Sequence, residues 1–220
     1  MKNILSLVAV FLTITVSAQN MNGAWKLVNQ NGKPFTDECI KIYSDSYFMF
    51  AIHKADGSFV KAGGGSYTSK DKEYTEILDF YTTDSTQVRK PVTYSFSVKK
   101  DELTIEAKMH GGVLKETWKK VDEPSSSLSG AWRFGARVND EGVAGQRRGG
   151  DLPRQTIKIL SGNHFQWAAF NYETIRFFSR DNSRAGMSLI FECRLDRSDW
   201  YHKGKGTTGN PVSEVWERIK

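Results

Sequence analysis

The chain has 220 residues, 39% of them hydrophobic, with 31 lysines and arginines, 25 acids and two cysteines. That length suits one large or two small domains. Only one stretch is apolar enough to suggest a membrane, and its 13 residues fall short of the roughly 20 needed to cross one.

That stretch comes first in the chain. Lys2 precedes the apolar run Ile4 to Val16, and Val16-Ser17-Ala18 offers the small residues of a cleavage site. Residues 1–18 read as a secretory signal peptide, so the mature chain is expected to be secreted or periplasmic, with no transmembrane segment after cleavage. The residue directly after the cleavage point is Gln19 rather than a cysteine, so a lipid anchor there is not expected.

Downstream, the hydrophobic period is two. Phe48, Phe50 and Ile52 alternate with Tyr47, Met49 and Ala51; Val92, Tyr94, Phe96 and Val98 alternate with Thr93, Ser95 and Ser97. In the second half Leu189, Phe191, Cys193 and Leu195 follow the same rule. Turn signals separate the runs, among them Asp56-Gly57, Lys99-Lys100-Asp101 and Ser161-Gly162-Asn163. This predicts many short antiparallel strands, closed as a barrel or stacked as a sandwich, and no long helix.

The chain repeats itself. "NGAWKLV" (22–28) returns as "SGAWRFG" (129–135), with the glycines 107 residues apart. "IKIYSDSYFMFAI" (40–52) matches "IKILSGNHFQWAA" (157–169), "LDFYTTDS" (78–85) matches "IRFFSRDN" (175–182), and "LKETWKK" (114–120) matches "VSEVWER" (212–218). Four matches in one order predict a duplicated domain. The expected halves are 19–121 and 130–220, joined by a Pro/Ser linker at 122–129. The second half gains a glycine-rich loop, Gly142 to Arg154, and lacks a counterpart of Asp56 to Thr75, which reads as two strands beside the triple glycine 63–65, itself a turn or bulge device.

The Gly-x-Trp pattern, followed by a meander that ends in a strand carrying a cation, resembles the lipocalin and calycin barrels. The signal and tandem layout resemble secreted lipocalin-like proteins of Bacteroidota. The resemblance implies an all-β chain of two tandem antiparallel up-and-down barrels, the second shortened by about one hairpin. It also implies that Trp25 and Trp132 close the barrel floors, under Lys120 and Arg218. A cation over an indole adds about 0.5–2 kcal/mol.

The period-two rule puts Glu116, Trp118 and Lys120 on one face, and Glu214, Trp216 and Arg218 on the matching face. The two charges pair with each other, face water at the barrel ends, or face a ligand's polar head. Barrel diameter grows with strand number, so the fuller first half is expected to hold a small, mostly apolar ligand, lined by Phe50, Tyr94, Phe96 and Leu103, with Glu116 or Lys120 as its polar contact. The alternative is a protein-interaction or inhibitor module. Residues 22–123 are electrically neutral, whereas residues 124–220 carry 15 cations, 11 of them arginine, against 10 acids. Arg147, Arg148, Arg154, Arg176, Arg180 and Arg184 cluster in the inserted loop and around the deletion, and would suit an acidic macromolecule; no specific nucleic-acid recognition is expected. His53, His110, His164 and His202 have no metal-ligand spacing, and no nucleophile or phosphate-loop motif is present. The chain is expected to be non-enzymatic and to need no cofactor. Cys39 and Cys193 sit at non-equivalent positions in strand-like runs, which favours two buried thiols over a disulfide.

Overall fold

The computed structural model describes residues 20–109, 111–150, 152–171, 176–177, 191–205 and 209–220. The proposed signal peptide, His110, Arg180, Arg184 and Leu189 lie outside these. Among the described residues no helix is long and apolar enough to cross a membrane.

The first half is a closed antiparallel barrel. Its strands are β1 (Gly23–Gln30), β3 (Glu38–Ser44), β4 (Tyr47–His53), β5 (Phe59–Lys70), β6 (Glu73–Tyr81), β7 (Pro91–Lys99), β8 (Glu102–Met109) and β9 (Gly112–Asp122), with the two-residue β2 (Lys33–Pro34) beside β1. From β3 to β9 each strand pairs with the next in sequence, and β1 pairs with both β3 and β9, which closes eight strands in up-and-down order.

Of the two expected devices, the triple glycine is a bulge and not a turn between two strands. It lies inside β5, where the pairing with β6 shifts register between Gly64 and Gly65. A Cβ on Gly65 would lie 2.0 Å from the Ile77 carbonyl oxygen, and one on Gly63 2.7 Å from the Phe50 ring. The strand bends there because three residues without side chains let β4 and β6 approach it closely.

The second half forms a sheet rather than a demonstrated second barrel. Its strands are β10 (Gly130–Arg137), β11 (Arg154–Ser161), β12 (His164–Asn171), β14 (Phe191–Asp196), β15 (Asp199–Lys205) and β16 (Pro211–Arg218), plus the two-residue β13 (Arg176–Phe177). Their order is β13-β12-β11-β10-β16-β15-β14, with no closing pair among the described residues. The inserted loop folds back on β10, where Arg148 N–H donates to Gly135 O (2.7 Å) and Gly145 N–H to Arg137 O (2.9 Å).

The halves pack back to back. One apolar cluster joins Ala24, Ile42, Met49, Ala51, Ala62 and Phe80 of the barrel to Ala131, Ile157, Ile159, Ala168 and Phe170 of the sheet. Equivalent positions of the repeat, Ala24/Ala131, Ile42/Ile159 and Ala51/Ala168, meet in it. Phe80 stacks on Phe170 with centroids 5.0 Å apart, and Gln166 Nε2 donates to Ile40 O across the boundary (2.9 Å). The C-terminal residue of β9, Asp122, clasps the β11–β12 turn: its carboxylate accepts from the Asn163 N–H and lies 3.0 Å from His164 Nδ1.

This interface inverts a strand face. In "IKI", at 40–42 and again at 157–159, the isoleucines face the other half and the lysine faces inward. The outer face of a strand is apolar here because a second layer covers it.

Candidate functional site

The tryptophan of the Gly-Ala-Trp motif has the same surroundings in both halves. Trp25 and Trp132 are fully buried. Each indole N–H donates to the carbonyl four residues earlier, Met21 O at 2.7 Å and Leu128 O at 2.9 Å. Lys120 Nζ lies 4.8 Å from the centroid of Trp25, and Arg218 Cζ 4.4 Å from that of Trp132. The register pairs Trp25 with Lys120 and Trp132 with Arg218. The glycine of each motif makes room for this. Gly130 has φ +152°, and a Cβ there would meet the Arg218 guanidinium at 2.4 Å. Gly23 has φ +137°, and its Cβ would meet Asp122 O at 2.9 Å. Both cations have further partners: Lys120 binds Glu123 (2.7 Å), and Arg218 donates to Ser129 O and Ser127 O.

The barrel interior is filled by its own side chains, including Tyr43, Phe48, Tyr67, Tyr74, Phe96, Leu103, Ile105 and Trp118. A charged pair sits among them. Lys41 Nζ bonds to Glu76, and both side chains are over nine-tenths buried. Lys41 also lies over Phe48 (4.6 Å) and Tyr43 (4.9 Å). Tyr43 OH donates to Glu76 (3.1 Å) and lies 3.4 Å from Tyr74 OH. Burial, with Glu76 nearby, pushes the Tyr43 and Tyr74 phenols well above their ordinary value. Glu116 accepts from Gln30 Nε2 (3.0 Å) and from the Trp118 indole (3.1 Å).

Of the residues expected to line a cavity, Leu103 and Phe96 are packed within this cluster, at 0% and 5% exposure. Lys120 lies over the Trp25 ring instead. Phe50 and Tyr94 pack against the cluster and remain partly exposed, as do Phe35 and Val60.

In the second half, Lys158 takes the place of Lys41. Its Nζ lies 4.0 Å from the centroid of Trp216 and 5.0 Å from that of Trp200. Trp132, Trp200 and Trp216 form a buried cluster with Phe134, Leu160 and Trp167 against it. Glu214 matches Glu116 and again accepts from the indole two residues later (3.1 Å). It also contacts His202 Nε2 (2.9 Å) and Arg137 Nη1 (2.9 Å). Burial lowers the Lys158 ammonium to about 7, against the pull of Glu214. It also lowers His202, which leaves that ring uncharged. Burial raises the Glu214 carboxyl, but the His202 hydrogen bond and the Lys158 charge outweigh it, and the net shift is downward.

Among the described residues the arginines of the inserted loop are held in different ways. Arg147 is held by Asp199 (2.7 Å) and Glu217 (3.0 Å), and the Asp199 hydrogen bond raises its pKa. Arg148 lies over the Phe134 ring (5.2 Å). Arg154 starts β11 and is exposed; Arg176 lies in β13. Arg147 and Arg148 also border a surface groove of about 520 Å³ with Gln146, Gly149 and Leu152. The two cysteines form no disulfide with each other. Cys39 is buried, and burial pushes it up to about 12; Cys193 is exposed rather than buried.

Lys41, Glu76, Lys158 and His202 were not singled out as site residues from the sequence. The signal for the lysines was the "IKI" common to both repeats, since a side chain alternating with two isoleucines must take the opposite face. No local signal marks Glu76, which meets Lys41 only through barrel closure. Its repeat counterpart, Glu173, lies outside the described residues.

Residues 20–128 match a family described as Domain of unknown function (DUF4488). No curated protein matches the sequence. Among solved structures, the crystal structure of the uncharacterized protein YLR301w from Saccharomyces cerevisiae is similar, at 12% identity and a TM-score of 0.48, over 91% of this chain and 99% of that one.

Proposed function

We propose that the chain is a non-catalytic binding module, secreted or periplasmic, that holds a small, mostly apolar ligand in its N-terminal barrel. The observation that supports this is the uneven lining of the barrel. Around Trp25 the interior is sealed, whereas Phe35, Phe50, Val60 and Tyr94 pack inward yet stay partly exposed. Small-molecule sites are mostly apolar with a few placed polar groups. Glu116 and the Lys41–Glu76 pair supply such groups next to that lining. On this reading the ligand sits at the open end, above the packed residues, in the manner of a lipocalin-type barrel. Titrating the full chain with a fluorescent fatty acid tests it. Saturable binding that Phe50→Ala weakens is expected. A probe that never saturates, or that binds Phe50→Ala equally well, overturns the reading.

A further inference from the structure

The pairing registers set the interior of the barrel in layers. Tyr43, Phe48, Gly65 and Leu78 stand side by side across β3 to β6. Lys41, Phe50, Gly63 and Tyr81 form the next layer, and Cys39, Ile52 and Lys61 the one beyond. Residues directly opposite one another share a face of the sheet. Cys39 and Ile52 belong to the interior cluster and Phe50 packs against it, so Lys61 and Tyr81 also face inward. Lys61 lies near the start of β5 and Tyr81 ends β6. Both therefore stand at the end of the barrel where Phe50 and Val60 remain partly exposed.

Lys61 Nζ donates to the Tyr81 hydroxyl (3.0 Å), and among the described residues no carboxylate pairs with it. An ammonium has three protons to give, and a phenol that accepts a bond keeps its own proton. The pair thus presents an N–H and an O–H side by side at the edge of an apolar lining. Gly63 makes room for this, since a Cβ there would lie 2.7 Å from the Phe50 ring and 3.2 Å from the Tyr81 ring. The two rings tilt together across it, with centroids 6.1 Å apart.

The other charges inside the barrel are committed. Glu76 bonds to Lys41, and Glu116 accepts from Gln30 Nε2 and the Trp118 indole through different oxygens. All of them act on one another's surroundings: burial raises the Cys39 thiol to about 12, Glu116 adds to the rise, and Lys41 and Lys61 oppose it. Glu116 repels an anion and Lys61 attracts one, so an anionic head group goes to the Lys61 side. Bonds from an ammonium to a charged acceptor are about twice as strong as neutral ones, and a carboxylate offers two oxygens to the two donors.

We propose that the ligand of the N-terminal barrel is an alkyl carboxylate, its head on Lys61 Nζ and the Tyr81 hydroxyl and its chain against Phe50, Val60 and Tyr94. This rests on the reading of the barrel as an apolar binding site and adds the chemistry of the head group.

Calorimetric titration of the full chain near pH 7 with decanoate and with decan-1-ol, which has the same chain and an uncharged head, tests the proposal. Decanoate is expected to bind at least about tenfold more tightly than decan-1-ol. Lys61→Gln should abolish that preference and leave the affinity for decan-1-ol unchanged. Tyr81→Phe should weaken decanoate several-fold, and Phe50→Ala should weaken both probes alike. Lys54→Gln, which removes an exposed cation from the neighbouring loop, should keep the preference. Equal or weaker binding of decanoate, an unchanged preference in Lys61→Gln, or loss of both probes in Lys61→Gln overturns the proposal. Loss of the preference in Lys54→Gln also overturns it, since the attraction would then be a diffuse surface field. In each of these cases, saturable decan-1-ol binding that Phe50→Ala weakens leaves the apolar site itself standing. Saturation by neither probe overturns that site and the head-group assignment together.

Discussion

Lys41 and Lys158 occupy the same position in two copies of one domain and live in different electrostatic worlds. Each is on the second long strand of its half, inward, beside the tryptophan of the last strand. Lys41 has a carboxylate within bonding distance because β6 closes the barrel and brings Glu76 across the bore. Among the described residues Lys158 has tryptophan faces instead. The comparison teaches that an inward lysine is a property of the repeat, whereas its charge partner is a property of closure. A duplicated domain can thus keep its framework and change what its interior asks for.

Removing the partner from Lys41 should produce the largest effect. Breaking a buried ion pair from one side leaves an uncompensated charge, which costs about 3–5 kcal/mol. Glu76→Gln is expected to lower the denaturation midpoint by that much, whereas the paired change Lys41→Met with Glu76→Leu should restore most of it. If the double variant is as unstable as the single one, the cost lies in packing rather than in charge.

The face between the halves comes next. Ile42 and Ile159 are fully buried in the shared cluster. Truncating a buried isoleucine to alanine costs about 2–5 kcal/mol, so Ile159→Ala should destabilise the whole chain in one transition. Residues 124–220 expressed alone would expose Ile157, Ile159 and Phe170, and are expected to aggregate. A soluble, strand-rich fragment would show that the two layers fold without each other.

Much of this architecture was legible in the sequence, and the exceptions have one cause. Period-two alternation located the strands, and the Gly-Ala-Trp repeat located both buried tryptophans, because those signals are local. The direction of "IKI" was not legible. Alternation gives two faces but does not say which is inside, and a covered outer face reverses the usual choice. The triple glycine read equally as a turn or a bulge, and only the close approach of Phe50 and Ile77 shows why β5 runs through it. The arginines looked like one surface because they are near in sequence, but Arg147 meets Asp199 and Glu217 only through folding. Glu76 was invisible for the same reason.

Lys158 makes the comparison sensitive to pH. Its folded value of about 7 lies below the ordinary 10.5. Between those values the unfolded chain binds a proton that the folded chain does not, so stability rises with pH. The slope is at most about 1.4 kcal/mol per pH unit. Lys158→Gln should therefore be the more stable protein at pH 7 and lose its advantage as the pH approaches 10.5. Parallel stability curves for the two proteins across that range would place the lysine in water.

The smallest expected difference separates the two floors. Lys120 and Arg218 both cover a buried tryptophan, but they are held differently. Lys120 adds one bond to Glu123, whose side chain is 64% exposed. Arg218 adds two bonds to the backbone carbonyls of Ser127 and Ser129, which lead into the next strand. A partly screened ammonium over an indole contributes about 0.5–1 kcal/mol, and its exposed pair adds little. A guanidinium that also satisfies two carbonyls loses about 1 kcal/mol more for each bond removed. Arg218→Ala should therefore cost more than Lys120→Ala, and Arg218→Lys should recover only part of the loss, since an ammonium cannot span both carbonyls as the planar fork does. Chemical denaturation of the three variants decides it. Equal losses for Lys120→Ala and Arg218→Ala would reduce both cations to their ring contact, and the carbonyl bonds of Arg218 would then contribute nothing measurable.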